Sequence, residues 1–312
     1  MTKERISIIG SGLMGHGIAQ IFATCGHEVC MYDINQPLLD NAMGKIVDNL
    51  AAFASRGIIT AEEAAAAPGR ITCTMKLEET AQADIVIEAV LENMALKQDI
   101  FSKLDQMCKP EAILASNTSV MSITEIASTS KRKERILGAH FWNPPHLIPL
   151  VEVIQTKDTS LENINKIMEL LRRVGKHPVH CRKDVPGFIG NRMQHALWRE
   201  ALYIVQEGIA DAATVDETVR LSFGMRSPHL GPLENADLVG LDLVNAIESY
   251  LLPYLCDSHT PLRIVTDKVA ANELGFKSGK GLQTWTAEES AASHRALRDY
   301  LMGLAEDRAR KQ

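Results

Sequence analysis

The chain has 312 residues, 33 Lys and Arg against 39 Asp and Glu, a formal net charge of -6, and 46% hydrophobic residues. These are ordinary globular proportions, the length suits two domains at roughly 100–200 residues each, and the acidity argues against a nucleic-acid partner, which needs a basic stripe. No apolar run reaches the ~18–20 residues of a membrane span, Met1-Thr2-Lys3-Glu4-Arg5 opens without a signal-peptide apolar region, and six Cys without a CxxC pair suit reduced thiols in the cytoplasm.

The pattern predicts strand at 5–9, ending in Gly10, then helix over 13–25, strand at 27–32 and a long helix over 36–55. Thr60 and Glu63 form a capping-box pattern at the head of a short Ala-rich helix that Pro68-Gly69 ends. Strand-like runs recur at 71–75, 84–90, 112–116, 136–141 and 150–155, with helical stretches between several of them, notably 95–108. The basic run 131–135 is expected to be a solvated loop. Alternation of this kind predicts an α/β, Rossmann-type, doubly wound, mostly parallel sheet. Asp184-Val185-Pro186-Gly187 is turn chemistry, and helical spacing dominates beyond it. An apolar face runs through Phe188, Ile189, Met193, Ala196, Leu197, Ala201, Leu202 and Val205, and further helices are expected at 210–221 and 239–255. The expected division is therefore a domain at 1–184 and an all-α domain at 185–312.

Gly10-Ser11-Gly12-Leu13-Met14-Gly15 is a GxGxxG that directly follows a strand and opens a helix, and Asp33 closes the second strand. Gly10 permits the tight turn, Gly12 lets a pyrophosphate approach the backbone, and Gly15 lets helix and strand pack closely. Leu13 and Met14, the variable positions of the loop, count with the cofactor-binding residues, and Met14 also reads as a packing residue. The helix N-terminus supplies N–H groups for phosphate, and the Asp33 carboxylate suits ribose hydroxyls while repelling a 2′-phosphate. NAD is therefore favoured over NADP; a flavin dinucleotide and a ligand-free strand–helix turn are the alternatives.

His140 follows a late strand, where ligands of doubly wound sheets bind, and its ordinary pKa of about 6.5 suits a base working near neutrality. Glu152 sits inside the apolar run Leu150-Val151-Glu152-Val153-Ile154, where a carboxylate is costly to bury without a partner such as an imidazolium. A satisfied core histidine and a strand-edge carboxylate are the plainer readings of each alone. Ser116-Asn117-Thr118-Ser119 ends another strand and either orients a ligand's oxygens or caps the helix that follows. His177, His180 and Cys181 form no complete tetrahedral set, so no metal is expected. Met193 and Trp198 are read as packing residues.

Taken together, GSGLMGHGIAQ (10–20), IVIEAVLENMALKQDIF (85–101), LASNTS (114–119), GAHFWNPP (138–145), LVEVI (150–154), GKHPV (175–179), DVPGFIGNR (184–192), GPLENADLVGLD (231–242) and GFKSGKG (275–281) closely resemble the L-3-hydroxyacyl-CoA dehydrogenase family, with its lambda-crystallin-like (L-gulonate 3-dehydrogenase) and carnitine dehydrogenase branches. The resemblance implies His140 and Glu152 as the catalytic pair and Ser119 and Asn191 as substrate contacts. It implies cofactor contacts at Gly10, Gly12, Gly15, Asp33, Glu92, Lys97 and Asn117, with Asn143 a further Asn of the active-site loop. It also implies a cleft between two domains that close on substrate, Asn191 entering from the second, and a homodimer built mainly through the helical half. Typical members carry roughly HFFNPVPVMKLVEV where this chain has Trp142, Pro145, His146 and Pro149, a departure toward branches that oxidise compact carboxylated alcohols. Where the family holds CoA, only Arg56 offers a phosphate contact, the other reading being a solvated turn residue. The expectation is reversible NAD-dependent oxidation of an L-3-hydroxyacyl-CoA. The alternatives are a dehydrogenase of a free small hydroxy acid, such as L-gulonate, carnitine or a ring-borne alcohol, and a catalytically idle crystallin-like NAD-binding protein.

Overall fold

The computed structural model describes residues 3–311; Met1 and Thr2, which open the N-terminal run, and Gln312 lie outside the described residues. β1 (Ile6–Ile9) is wholly buried and turns at Gly10 into α1 (Gly15–Thr24). β2 (Val29–Tyr32) leads to α2 (Gln36–Ser55), which starts where Asn35 accepts the Leu38 N–H and Pro37 occupies the first turn. α3 (Ala61–Ala66) opens on the Thr60–Glu63 capping box. β3 (Ile71–Thr74), β4 (Ile85–Glu88), α4 (Met94–Met107), β5 (Ile113–Ser116), α5 (Ile123–Ile126) and β6 (Ile136–Phe141) follow. β7 (Leu150–Ile154), α6 (Leu161–Arg173) and β8 (His177–Cys181) complete this part of the chain.

The eight strands form one sheet in the order β3-β2-β1-β4-β5-β6-β7-β8. Every pairing is parallel except β6 with β7, because β7 returns through a short loop rather than a crossover helix. The fold is thus the Rossmann-type, mostly parallel sheet expected. The chain leaves β1 for β2 on one side and joins β4 on the other, so a crevice opens beyond the carboxyl ends of β1 and β4. Alternate residues of the central strands feed two cores. Ile6 and Ile8 pack with Phe22, Leu39 and Ile167 on one face, while Ile9 and Val86 pack with Phe101, Leu104 and Ile126 on the other.

The remaining elements are helical: α7 (Gly190–Gln206), α8 (Ala212–Leu221), α9 (Phe223–Arg226), α10 (Pro232–Val239), α11 (Leu241–Leu251), α12 (Arg263–Ala270) and α13 (Ala287–Ala309). No described helix is long and apolar enough to cross a membrane.

The compact units are 1–192 with 298–312, and 193–297. Glu152 of β7 accepts the backbone N–H groups of Ile189 and Gly190, which holds the chain to the sheet as far as the head of α7. At the other end, Met302 and Ala305 of α13 bury against Phe53 and Leu147, bringing the last residues back to the first unit. Phe188 does not join the apolar face of α7. It precedes the helix at φ 50 and is buried in the sheet's core. The expected helix over 239–255 is interrupted at Gly240 (φ 99) and ends before Pro253. The basic run is not a solvated loop throughout. Arg135 is wholly buried, with its guanidinium on the Asp105 carboxylate at 2.8 Å, and Arg132 reaches the same carboxylate at 3.1 Å. Met193 and Trp198 are about half exposed, because in a single chain this face of α7 is uncovered.

Candidate active site

The crevice at the ends of β1 and β4 is built by the glycine loop. Gly10 adopts φ +97 and lies so close to the next strand that a Cβ there would sit 2.7 Å from the Ala89 carbonyl oxygen. A Cβ on Gly15 would meet the Gly10 oxygen at 1.8 Å, whereas one on Gly12 would face open space. Met14 supplies no side-chain cap, so the first N–H groups of α1 keep their donors for a ligand; α2, α4, α5 and α6 are all capped by Asn or Ser. The Asp33 carboxylate accepts the Ser11 N–H and hydroxyl at 2.7 Å each and the Ile34 N–H at 2.7 Å. That places it beside the loop at the end of β2. Leu13, Ile34 and Leu91, on the loops after β1, β2 and β4, are exposed apolar side chains, while Met14 packs on the core. Open backbone, uncapped amides and a carboxylate at the ribose end make a set that fits a dinucleotide such as NAD.

The ends of β4 and β5 carry a polar network. Glu88, fully buried, accepts from Lys97 Nζ at 2.7 Å, Ser116 Oγ at 2.7 Å and the Val90 N–H at 2.7 Å. Lys97, also buried, lies 3.5 Å from Glu92, so its ammonium is spent largely on internal carboxylates rather than facing solvent. Glu92 accepts the Thr118 hydroxyl at 2.8 Å and the Ser119 N–H at 2.8 Å. The Asn117 side chain accepts the Phe141 N–H at 2.8 Å, tying the end of β5 to that of β6. Asn191 donates to the Ser119 carbonyl at 2.9 Å, from within the first compact unit. Asn143 is exposed on the loop after β6.

His140 and Glu152 are directly opposite in the β6–β7 ladder. Their side chains meet with His140 Nδ1 2.7 Å from Glu152 Oε2, both buried. The Trp142 indole N–H donates to the same oxygen at 3.3 Å, and the Ile189 and Gly190 N–H groups donate to Oε1 at 2.9 and 3.0 Å. Burial alone would raise the Glu152 carboxyl, but the His140 bond and the two backbone donors outweigh it and hold the group below the ordinary carboxylate range. Trp142 and Phe188 flank the imidazole at 5.4 and 5.7 Å between ring centres. His140 Nε2 has no hydrogen-bond partner among the described residues.

Sequence reasoning gave no role to Glu88, Trp142 or Gly190. The signal for Glu88 was an acid inside an apolar strand run with a Lys nine residues on. Gly190 is required because its Cβ would lie 2.4 Å from the Trp142 ring. Arg56, the phosphate candidate, is neither free nor merely solvated: it pairs with Asp299 at 2.7 Å and Glu306 at 3.2 Å.

Residues 5–185 match the family model for the 3-hydroxyacyl-CoA dehydrogenase NAD binding domain, and residues 187–285 match that for the 3-hydroxyacyl-CoA dehydrogenase C-terminal domain. A probable 3-hydroxybutyryl-CoA dehydrogenase of Bacillus subtilis is 41% identical, over 93% of this chain and 100% of that one. Among solved structures, a 5-formyl-3-hydroxy-2-methylpyridine 4-carboxylic acid 5-dehydrogenase described as an NAD+ dependent dismutase superposes with a TM-score of 0.89 at 32% identity, over 97% of each chain. An (S)-3-hydroxybutyryl-CoA dehydrogenase of Ralstonia eutropha gives 0.78 at 33% identity, over 91% of this chain and 100% of that one.

Proposed function

This chain belongs to the 3-hydroxyacyl-CoA dehydrogenase family and is an NAD-dependent oxidoreductase acting on a CH–OH group, and from that premise we propose that it oxidises an L-3-hydroxyacyl-CoA reversibly to the 3-oxoacyl-CoA with His140 as general base. The buried 2.7 Å contact between His140 Nδ1 and Glu152 carries the reading. Glu152, ionised and saturated with donors, keeps the proton on Nδ1 and leaves Nε2 as the acceptor. The substrate hydroxyl gives its proton to Nε2 as the carbon–oxygen double bond forms; in the reverse direction the imidazolium returns it. Bound NAD supplies the acceptor for the hydride that leaves the same carbon. Glu152 stabilises the imidazolium, and Ser119 with Asn191, joined through the Ser119 carbonyl, orient the substrate's carbonyl oxygen. Gly10, Gly12, Leu13, Met14 and Gly15 hold the cofactor's phosphates, Asp33 its ribose, and Glu92, Lys97, Asn117 and Asn143 border its nicotinamide half.

One observation favours a second reading, a free compact hydroxy acid. Arg56 is committed to two α13 carboxylates, so it offers no cation for a CoA phosphate. The similarity to hydroxybutyryl-CoA dehydrogenases supports the thioester. A spectrophotometric panel tests both: acetoacetyl-CoA with NADH, then NAD with 3-hydroxybutyryl-CoA, 3-hydroxybutyrate, gulonate and carnitine. Turnover of the CoA substrates supports the first reading, and turnover of free acids alone overturns it in favour of the second. Tight NADH binding with no turnover on any of them refutes both and leaves an idle NAD-binding protein.

The working form is a homodimer. Leu221, Met225, Leu233, Leu238, Tyr250 and Tyr254 of the helical unit are all exposed by more than 60%, large apolar side chains of the kind that an interface between copies covers. Light scattering coupled to gel filtration is expected to give twice the 34.3 kDa chain mass, and a monomer at micromolar concentration refutes it. Six free cysteines among the described residues accord with a cytoplasmic location.

A further inference from the structure

A cavity of about 170 Å³ lies within the first unit, between α1, the end of α2, the loop joining β6 to β7 and the end of α13. Lys176 and Arg308 line it, and no Asp or Glu does. Neither cation has a carboxylate partner among the described residues. Lys176 Nζ donates to the Pro145 and Ile148 carbonyls, the latter at 3.0 Å, and Arg308 donates to the Leu147 carbonyl at 2.7 Å. An ammonium has three N–H donors and a guanidinium five, so one and four remain. His146 lines the same cavity, with its Nδ1 buried and unbonded.

Carbonyls satisfy the direction of these donors but not their charge, and buried charges are as a rule paired. The lack of compensation shows on Lys176 and on the neighbouring His146: burial and then the Arg308 charge push Lys176 down to about 8, and burial and nearby cationic charge push His146 down to about 4, leaving it neutral. We propose that this cavity is a binding site for a small oxyanion of the phosphate class, clamped between Lys176 and Arg308. Its occupant would join the end of α13 to the loop that runs from His140 to Glu152, because the three carbonyls holding the two cations belong to that loop.

The test is calorimetric titration of inorganic phosphate into the full-length protein saturated with NADH. NADH blocks the uncapped α1 N-terminus, which is itself an anion site. Sulfate, acetate and chloride are run at matched ionic strength. The expected result is one saturable phosphate site per chain, with sulfate competing and chloride not, and a midpoint of thermal unfolding raised by about 2–4 °C at tenfold excess over Kd. Arg308→Met and Lys176→Met are each expected to weaken phosphate at least about tenfold, while Arg308→Lys keeps most of the affinity. Arg308 is partly exposed near the chain end, so its variant reports on binding even where Lys176→Met fails to fold. The absence of saturable phosphate binding with NADH bound overturns the site. So does undiminished binding in Arg308→Met. Neither result bears on the dehydrogenase reading, which the substrate panel tests separately.

Discussion

Replacing Glu152 by Gln changes one oxygen for an amide and removes a charge from a carboxylate with four donors around it. If the amide oxygen keeps the Ile189 and Gly190 N–H groups, its NH2 faces both the Trp142 N–H and His140 Nδ1. The ring must then accept at Nδ1, which moves its proton to Nε2, and Nε2 can no longer take one from a substrate hydroxyl. If the amide flips, two backbone donors lose their acceptor instead, at about 1–3 kcal/mol for each group left unsatisfied. Either way the imidazolium loses its counter-charge. The expected fall in kcat is about 10³–10⁴-fold, or about 4–5.5 kcal/mol of transition-state stabilisation. The assay is steady-state oxidation at pH 7–8, with NADH affinity by fluorescence as the control for folding. The variant should also lose acid sensitivity. Glu152's folded pKa lies below its unfolded value of about 4.3, so its ionised form contributes stability that is present above that value and lost as pH falls through the folded one. A folded Glu152→Gln protein that binds NADH normally and turns over within tenfold of the parent refutes the pairing as the catalytic device.

Four further substitutions are decided by local geometry. Gly15→Ala should destabilise the protein by about 3 kcal/mol or more, since its Cβ falls 1.8 Å from the Gly10 oxygen, whereas Gly12→Ala should fold normally and lose NADH affinity; thermal melts with and without NADH separate the two. Asp33→Ala should cut the kcat/KM preference for NAD over NADP at least about tenfold by removing the charge that repels a 2′-phosphate, and an unchanged ratio would dismiss that role for Asp33. Arg135→Met should cost about 2–3 kcal/mol in urea unfolding at pH 7, because the buried Asp105 carboxylate keeps Arg132 but loses its second guanidinium partner, and the Lys109, Ala112 and Asp105 carbonyls lose a donor; a loss under about 1 kcal/mol would show that the buried pair is dispensable.

The sheet was legible because burial on two faces leaves continuous β-branched runs, and the expected strands at 136–141 and 150–155 lie within a residue of β6 and β7. Direction was not legible. Periodicity marks a strand without saying which way it runs, so nothing in Leu150-Val151-Glu152-Val153-Ile154 announced the antiparallel return. Helix α2 was legible from its long helical spacing over 36–55, but α13 was not, because it buries only Met302 and Ala305 and carries little apolar periodicity. The glycine loop could be read residue by residue, since each glycine answers a local steric demand. The partners of Lys97 and Arg56 could not, because Glu88, Asp299 and Glu306 reach them only through tertiary packing.

That reversal at β7 is what makes the candidate pair. In a parallel ladder the strand after β6 would need a crossover of a dozen residues or more, and its residues would rise in step with those of β6. The eight residues between Phe141 and Leu150 instead fold the chain straight back, so His140 and Glu152, 12 positions apart, become cross-strand neighbours on one face. The other buried acid of the sheet, Glu88, sits in its parallel part and is paired with the Lys97 side-chain nitrogen at 2.7 Å, which suits a fixed scaffold for the loops around it. Glu152 is compensated by a histidine and by backbone and indole N–H groups, none of which carries a permanent charge. The charge on its partner can therefore appear and vanish during turnover while the carboxylate keeps its hydrogen bonds. Two acids in one sheet thus take different work from the chemistry of their partners, and only one of them can stabilise a proton that comes and goes.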